Sequence, residues 1–146
     1  MRYAGFTKQE RTFIGVMRVW MVAFLGAGIC FILIPNVLLN YINDIGKVFL
    51  KWHSPPYEAG GEFWLVFAVA LMFILSYACM LAQRNPLRNG IYARLVIMAK
   101  FMTAAGFVIL LFLKGMQFYY LVSAVIDALI CIITWRVYSR ASLSRT

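Results

Sequence analysis

Two ionisable residues stand inside long apolar stretches of the sequence, and they are the first candidates for chemistry. Lys100 follows Ile91 by nine residues, and Asp127 lies near the middle of the last apolar stretch. A charge at the centre of a bilayer costs about 2.5–3.5 kcal/mol, so such residues normally face protein or water and find partners. Their types therefore predict either a mutual ion pair or a polar functional centre.

Helical geometry indicates that these two residues can meet. The short connection at residues 114–117 predicts a tight antiparallel hairpin. If the turn centres near residue 115, position 100 lies opposite position 130, and Asp127 is offset by about 4.5 Å at a rise of 1.5 Å per residue. A lysine side chain covers that offset. One interpretation is a structural clamp that fixes the register of two helices; the other is a proton relay, an ion site or a quinone-headgroup anchor.

The composition places these residues in a membrane protein. The 146 residues are 64% hydrophobic and 13% charged, whereas soluble domains are about 45–50% apolar and about 25% charged. This excludes a water-soluble enzyme, a disordered tail and a secreted disulfide scaffold, and the length allows one domain over residues 1–146. Cys30, Cys79 and Cys131 all lie in apolar segments and give neither a disulfide framework nor zinc-ligand spacing.

Four stretches are long enough for the helix of about 20 residues that crosses a bilayer. They are residues 13–39, 63–82, 91–113 and 118–138. We therefore predict an all-α integral membrane four-helix bundle with up-down-up-down topology. Arg18 interrupts the first stretch and no small-residue cleavage site follows it, so we expect a permanent first helix rather than a signal peptide.

Lys and Arg are distributed unevenly between the two sides of this predicted bundle. With four spans, one side carries ten of them and the other carries three, while Lys100 lies inside a span. The positive-inside rule then predicts cytoplasmic N- and C-termini. The net charge of +9 is divided among short segments between apolar stretches, so we expect membrane lipid rather than nucleic acid as the partner.

The connection over residues 40–61 is the one long connection. Its first half places Tyr41, Ile45 and Val48 on one helical face and Asn43 and Lys47 on the other. This pattern predicts an amphipathic helix that lies in the outer interface between helices 1 and 2. It is interpreted either as a surface-lying connector or as a partner-docking element.

Several further residues are candidates for contacts with lipid or with a partner protein. They are Arg18, His53, Arg84, Arg88 and Arg94. The arginines also fit snorkelling and the positive-inside rule without any ligand. His53 is the only histidine, so the chain cannot supply the paired axial histidines of a transmembrane b-type cytochrome. We expect no catalytic residues, no metal site and no cofactor of its own, only lipid or quinone contacts shared with a partner.

A group of short motifs in the second half supports a family resemblance. They are Tyr77, the Arg84-Asn85-Pro86 connection, Arg88, Lys100 in helix three and Asp127 midway along helix four. Over residues 64–138 the chain thereby resembles small bacterial four-helix membrane proteins of the DoxX-like type. The resemblance implies a four-helix bundle in a bacterial inner (plasma) membrane and, for some members, association with quinone-linked oxidoreductase or redox-stress complexes. It implies no catalytic residue.

Together these observations predict a non-enzymatic role in a membrane. The first hypothesis is an accessory subunit that binds and stabilises a larger integral-membrane complex, an electron-transfer or quinone-linked one. The alternative is a small transporter or channel with Lys100 and Asp127 as its polar centre. An enzyme is disfavoured because no Ser/His/Asp or paired-carboxylate constellation is present.

Overall fold

The computed structural model describes residues 6–50, 62–86, 88–113 and 117–143. Regular structure in these ranges is entirely helical: α1 (Lys8–Leu33), α2 (Pro35–Leu50), α3 (Glu62–Ala82), α4 (Gly90–Leu113) and α5 (Phe118–Leu143). The helices α1, α3, α4 and α5 are long and apolar enough to cross a membrane. The all-α class and the prediction of four helices long and apolar enough to span a membrane are thus confirmed.

A capping box begins α1. The Thr7 side chain accepts a hydrogen bond from the Glu10 backbone N–H at 3.2 Å, and Glu10 Oε2 accepts one from the Thr7 backbone N–H at 2.7 Å. Two backbone donors that a helix start leaves without intrahelical partners are satisfied in this way. The helix consequently begins at Lys8, five residues before the apolar stretch, which starts at Phe13.

Pro35 divides the first predicted span, and here the prediction of residues 13–39 is wrong. The structure ends α1 at Leu33, and Ile34 has the non-helical angles φ −142° and ψ 49°. Proline lacks the N–H that would continue the helical ladder and disfavours helical angles in the residue before it. It is well suited to the first position of a new helix, so residues 35–39 belong to α2.

Tertiary contacts join the long helices in two pairs, α4 with α5 and α1 with α3. In α4 and α5, the rings of Phe107 and Tyr120 lie 6.2 Å apart, and the Arg94 guanidinium lies 5.8 Å from the Tyr138 ring. In α1 and α3, Ser76 Oγ donates a hydrogen bond of 2.9 Å to the Met21 carbonyl. Further contacts of α3 with α4 and of α1 with α5 join the two pairs into one bundle.

The buried apolar core occupies the half of the bundle where α1 begins and α5 ends. Phe13 and Met17 of α1, Cys79 of α3 and Val96 of α4 are fully buried there. The Phe13 ring also lies 5.9 Å from the Tyr138 ring of α5. This half positions the four helices around the polar residues described below.

The short helix α2 packs on the start of α5 through a small and polar face. The sequence places Asn43 on the solvated face of α2, and this is wrong, because Asn43 is 1% exposed. Its Oδ1 accepts a hydrogen bond of 3.3 Å from the Tyr119 backbone N–H, one of the donors that the first turn of α5 leaves without an intrahelical partner. A Cβ atom on Gly46 would clash with the Phe118 ring, so glycine permits this close approach.

Candidate functional site

Lys100 and Asp127 form an ion pair between α4 and α5 in the bundle interior. Lys100 Nζ lies 2.8 Å from Asp127 Oδ1. Lys100 is 2% exposed and Asp127 is 7% exposed. The packing of α4 on α5 that also brings Phe107 beside Tyr120 places the two side chains at the same level. The structure therefore brings together the two residues that the sequence singled out.

Thr103 completes the coordination of the carboxylate. One turn after Lys100 on α4, its hydroxyl donates a short hydrogen bond to Asp127 Oδ2. The same hydroxyl lies 3.2 Å from the Lys100 carbonyl oxygen, and its single proton can serve only one of these acceptors at a time. Each oxygen of Asp127 thus has its own donor, the ammonium at one and the hydroxyl at the other.

An aromatic side chain of α1 lies beside the ammonium of the pair. Lys100 Nζ lies 4.8 Å from the centre of the Phe24 ring of α1, a distance at which the ring face attracts a cation. Three long helices, α1, α4 and α5, therefore contribute to the surroundings of this one ammonium group.

This arrangement is electrically neutral and closed by short contacts. A buried ion pair repays its desolvation only when the geometry is good and additional hydrogen bonds satisfy the remaining polar atoms. The Lys100–Asp127–Thr103 triad meets these conditions at the carboxylate, where each oxygen accepts a hydrogen bond, while the Phe24 ring faces the ammonium. This arrangement holds α4 and α5 in register.

Arg18 makes its contact within the chain. The side chain is half-buried, and its Nε donates a hydrogen bond of 3.1 Å to Gln83 Oε1 at the end of α3. Gln83 Nε2 in turn lies 3.4 Å from Met21 Sδ. The structure therefore shows Arg18 joining α1 to α3, in addition to any contact that its remaining nitrogens make with lipid.

The three other arginines that the sequence singled out lie at one end of the bundle. Arg84, Arg88 and Arg94 are exposed, and Arg94 lies over the Tyr138 ring. His53 lies outside the described residues. Within the ranges that the structure describes, no group of three His, Cys, Asp or Glu side chains could hold a metal ion.

Sequence reasoning missed two members of the interior site. The residue type of Thr103 indicates no more than a small side chain on α4. Its position three residues after Lys100 nevertheless places both side chains on one helical face. Phe24 gave no signal, because one aromatic residue in an apolar span does not reveal which way it points. The i, i+3 spacing was thus the one pattern that could have found Thr103.

Comparisons with known proteins add no family to this geometry. No protein-family model, no curated protein and no solved structure matches the chain. The functional interpretation therefore depends on the residues and their contacts.

Proposed function

We propose that this chain is a small integral membrane protein with up-down-up-down topology and both termini in the cytoplasm of a bacterium. The antiparallel contacts of α1 with α3 and of α4 with α5 support this arrangement. The excess of Lys and Arg at the termini and in residues 83–90 supports the orientation. The half of the bundle that contains the apolar core then faces the cytoplasm.

In this topology α2 lies in the outer interface with its apolar side toward lipid. Val37, Tyr41, Ile45 and Val48 are all exposed and follow each other at helical spacing along one side of α2. The opposite side, with Asn43 and Gly46, packs against α5. An amphipathic helix with one apolar side and a charged edge suits the boundary between headgroups and acyl chains.

The function that this geometry supports best is that of an accessory subunit in a larger integral-membrane complex. One observation carries the proposal: Lys100 and Asp127 are both buried and paired with each other, and each oxygen of the carboxylate has a donor, so neither charge is exposed to a solute. Large apolar side chains cover the exterior of the described helices, which is a surface for lipid or for another membrane subunit. The resemblance to DoxX-like proteins points to a quinone-linked or other electron-transfer complex.

A small transporter or channel is the second candidate, and the position of the same pair favours it. A lysine and a carboxylate inside a membrane span often mark proton or ion pathways. Transport through this chain requires the Lys100–Asp127 contact to open during the cycle. A bundle of four spans is narrow, so a pore would also require several copies of the chain.

Native gel electrophoresis with mass spectrometry tests the proposal. Membranes from cells that express the tagged chain at its natural level are solubilised in mild detergent and separated without denaturation. We expect the chain to migrate with larger, cofactor-bearing membrane subunits. A lone small species contradicts the accessory role.

Reconstitution into liposomes tests the alternative directly. We expect no proton flux above that of protein-free vesicles. A flux that Asp127→Asn abolishes and Asp44→Asn leaves intact would support transport instead. Asp44 is a suitable control because it forms an exposed ion pair with Lys47 on α2.

A further inference from the structure

A groove follows the exterior of the bundle between α4 and α5. Its volume is about 380 Å³, within the range of clefts that hold small, mostly apolar ligands. The side chains that line it include Arg94, Met98 and Phe101 of α4 and Cys131, Trp135 and Tyr138 of α5. They recur at intervals of three or four residues on each helix, so the groove is the seam between two antiparallel helices.

The groove is open to the surroundings of the bundle and has one polar end. Met98 is 68% exposed, Phe101 is 61% exposed and Trp135 is 60% exposed. Arg94 stands at one end, and Phe101 lies seven residues further along α4, about 10 Å away at a rise of 1.5 Å per residue. The groove therefore has the guanidinium of Arg94 at one end and an apolar stretch of about that length beyond it.

The polar end has the composition of a headgroup site. The Arg94 guanidinium lies 5.8 Å from the Tyr138 ring centre, a cation–π contact that holds it at the mouth of the groove. Arg94 belongs to the first turns of α4, so in the proposed topology it lies at the level of the cytoplasmic headgroups. Trp and Tyr rings favour the same level.

We propose that this groove binds an anionic phospholipid. The phosphate is held at Arg94, and part of one acyl chain lies along Met98, Phe101 and Cys131. The charge of Arg94 complements an anionic headgroup, and basic pockets between membrane helices on the cytoplasmic side bind such headgroups. The inference rests on the proposed membrane insertion and adds a ligand class to it. Phosphatidylcholine also carries a phosphate, but its choline cation offsets that charge, and a quinone carries no charge at all.

Native mass spectrometry of the full chain tests this inference. The protein is delipidated in neutral detergent and titrated with phosphatidylglycerol or phosphatidylcholine of identical acyl chains. We expect the first phosphatidylglycerol to bind at least tenfold more tightly than phosphatidylcholine. Arg94→Gln should abolish this preference, and Arg94→Lys should retain most of it because an ammonium still attracts phosphate as a point charge.

Arg136→Gln is the matched control. Arg136 is an exposed arginine of α5, next in sequence to Trp135 of the groove. It is not among the residues that line the groove. We expect this variant to keep the preference within twofold. Cys131→Phe places a ring inside the groove and should weaken the binding of both phospholipids together.

Three results would overturn the lipid assignment. They are equal affinity of the unchanged protein for the two phospholipids, equal losses in the Arg94→Gln and Arg136→Gln variants, and photo-crosslinking from position 98 to a partner subunit or a quinone instead of phospholipid. On the same preparations we also measure whether the protein needs detergent to stay in solution and whether it migrates with larger subunits on a native gel. A chain that needs detergent and migrates with its partner, but does not discriminate lipids, contradicts this inference alone.

Discussion

The carboxylate of Asp127 accepts from two donors that stand one helical turn apart on α4, Lys100 and Thr103. Removing one partner of such a site leaves the other buried without compensation. Replacing both charges by apolar groups of similar volume removes the problem together with the interaction. If the pair is a structural clamp, the single substitution therefore costs more stability than the double substitution.

We therefore expect Asp127→Asn to lower the free energy of unfolding by about 3–5 kcal/mol. The double variant Lys100→Met/Asp127→Leu should recover a substantial part of this loss. Folded yield by size-exclusion chromatography and thermal melting in detergent measure both effects. Asp44→Asn breaks the exposed Lys47–Asp44 pair and should cost about 0.5 kcal/mol or less. Equal losses in the single and double Lys100/Asp127 variants would refute the clamp.

Thr103 gives a second prediction at the same site. Thr103→Val keeps the side-chain shape but leaves Asp127 Oδ2 without its hydroxyl donor, which should destabilise the fold by about 1–3 kcal/mol. Thr103→Ser restores the donor and should recover most of that stability. The melting temperatures of the three proteins in one detergent measure the difference. A Ser variant as unstable as the Val variant would mean that the methyl group matters rather than the hydroxyl.

Among the helices, α2 is held by a contact that tolerates no additional side chain. Gly46 of α2 lies directly against the Phe118 ring, whereas a Cβ on Gly15 of α1 meets no atom within 4 Å. The two glycines therefore predict opposite responses to the same substitution. Gly46 fixes a tertiary contact, and Gly15 only weakens a helix.

We expect Gly46→Ala to destabilise the protein by about 1–3 kcal/mol through overpacking against Phe118. Gly15→Ala should be neutral or stabilising by up to about 1 kcal/mol, because alanine favours the helix interior more than glycine does. Thermal melting compares the two. Combining Gly46→Ala with Phe118→Ala relieves the clash, so the double variant should lose less than the sum of the single losses; full additivity would argue against the contact.

At the scale of the whole molecule, the proposed orientation rests on charge, whereas the closure of the bundle follows from packing. The excess of Lys and Arg lies at the termini and in the central connection. The apolar core and the Arg18–Gln83 hydrogen bond lie in the same half. The proposed cytoplasmic half is thus both the more basic and the more tightly packed one.

Tag accessibility in intact cells checks this orientation. We expect epitope tags at the N- and C-termini to resist externally added protease and antibody, while a tag inserted after Pro56 is reached from outside. Permeabilised cells serve as the control, since every tag should then be detected. Terminal tags that are accessible in intact cells would reverse the topology.

Local composition and spacing determine much of this protein from the sequence. The four long helices are predicted by apolar stretches of the length that a bilayer requires. The helix α2 is predicted because its apolar and polar residues fall on different helical faces. The sequence also identified Lys100 and Asp127, because charges are conspicuous in apolar segments. The start of α2 at Pro35 was marked in the sequence as well, although the prediction extended the first span beyond it.

Only the tertiary structure decided which faces of the helices meet. Helices that are apolar nearly all round carry no sequence signal for the side that is buried. The contact of Phe24 with Lys100, the burial of Asn43 against α5 and the groove beside Arg94 therefore depend on how each helix is rotated and shifted against its neighbours. Rotation and shift are set by the packing of all the helices together, and no single segment encodes them.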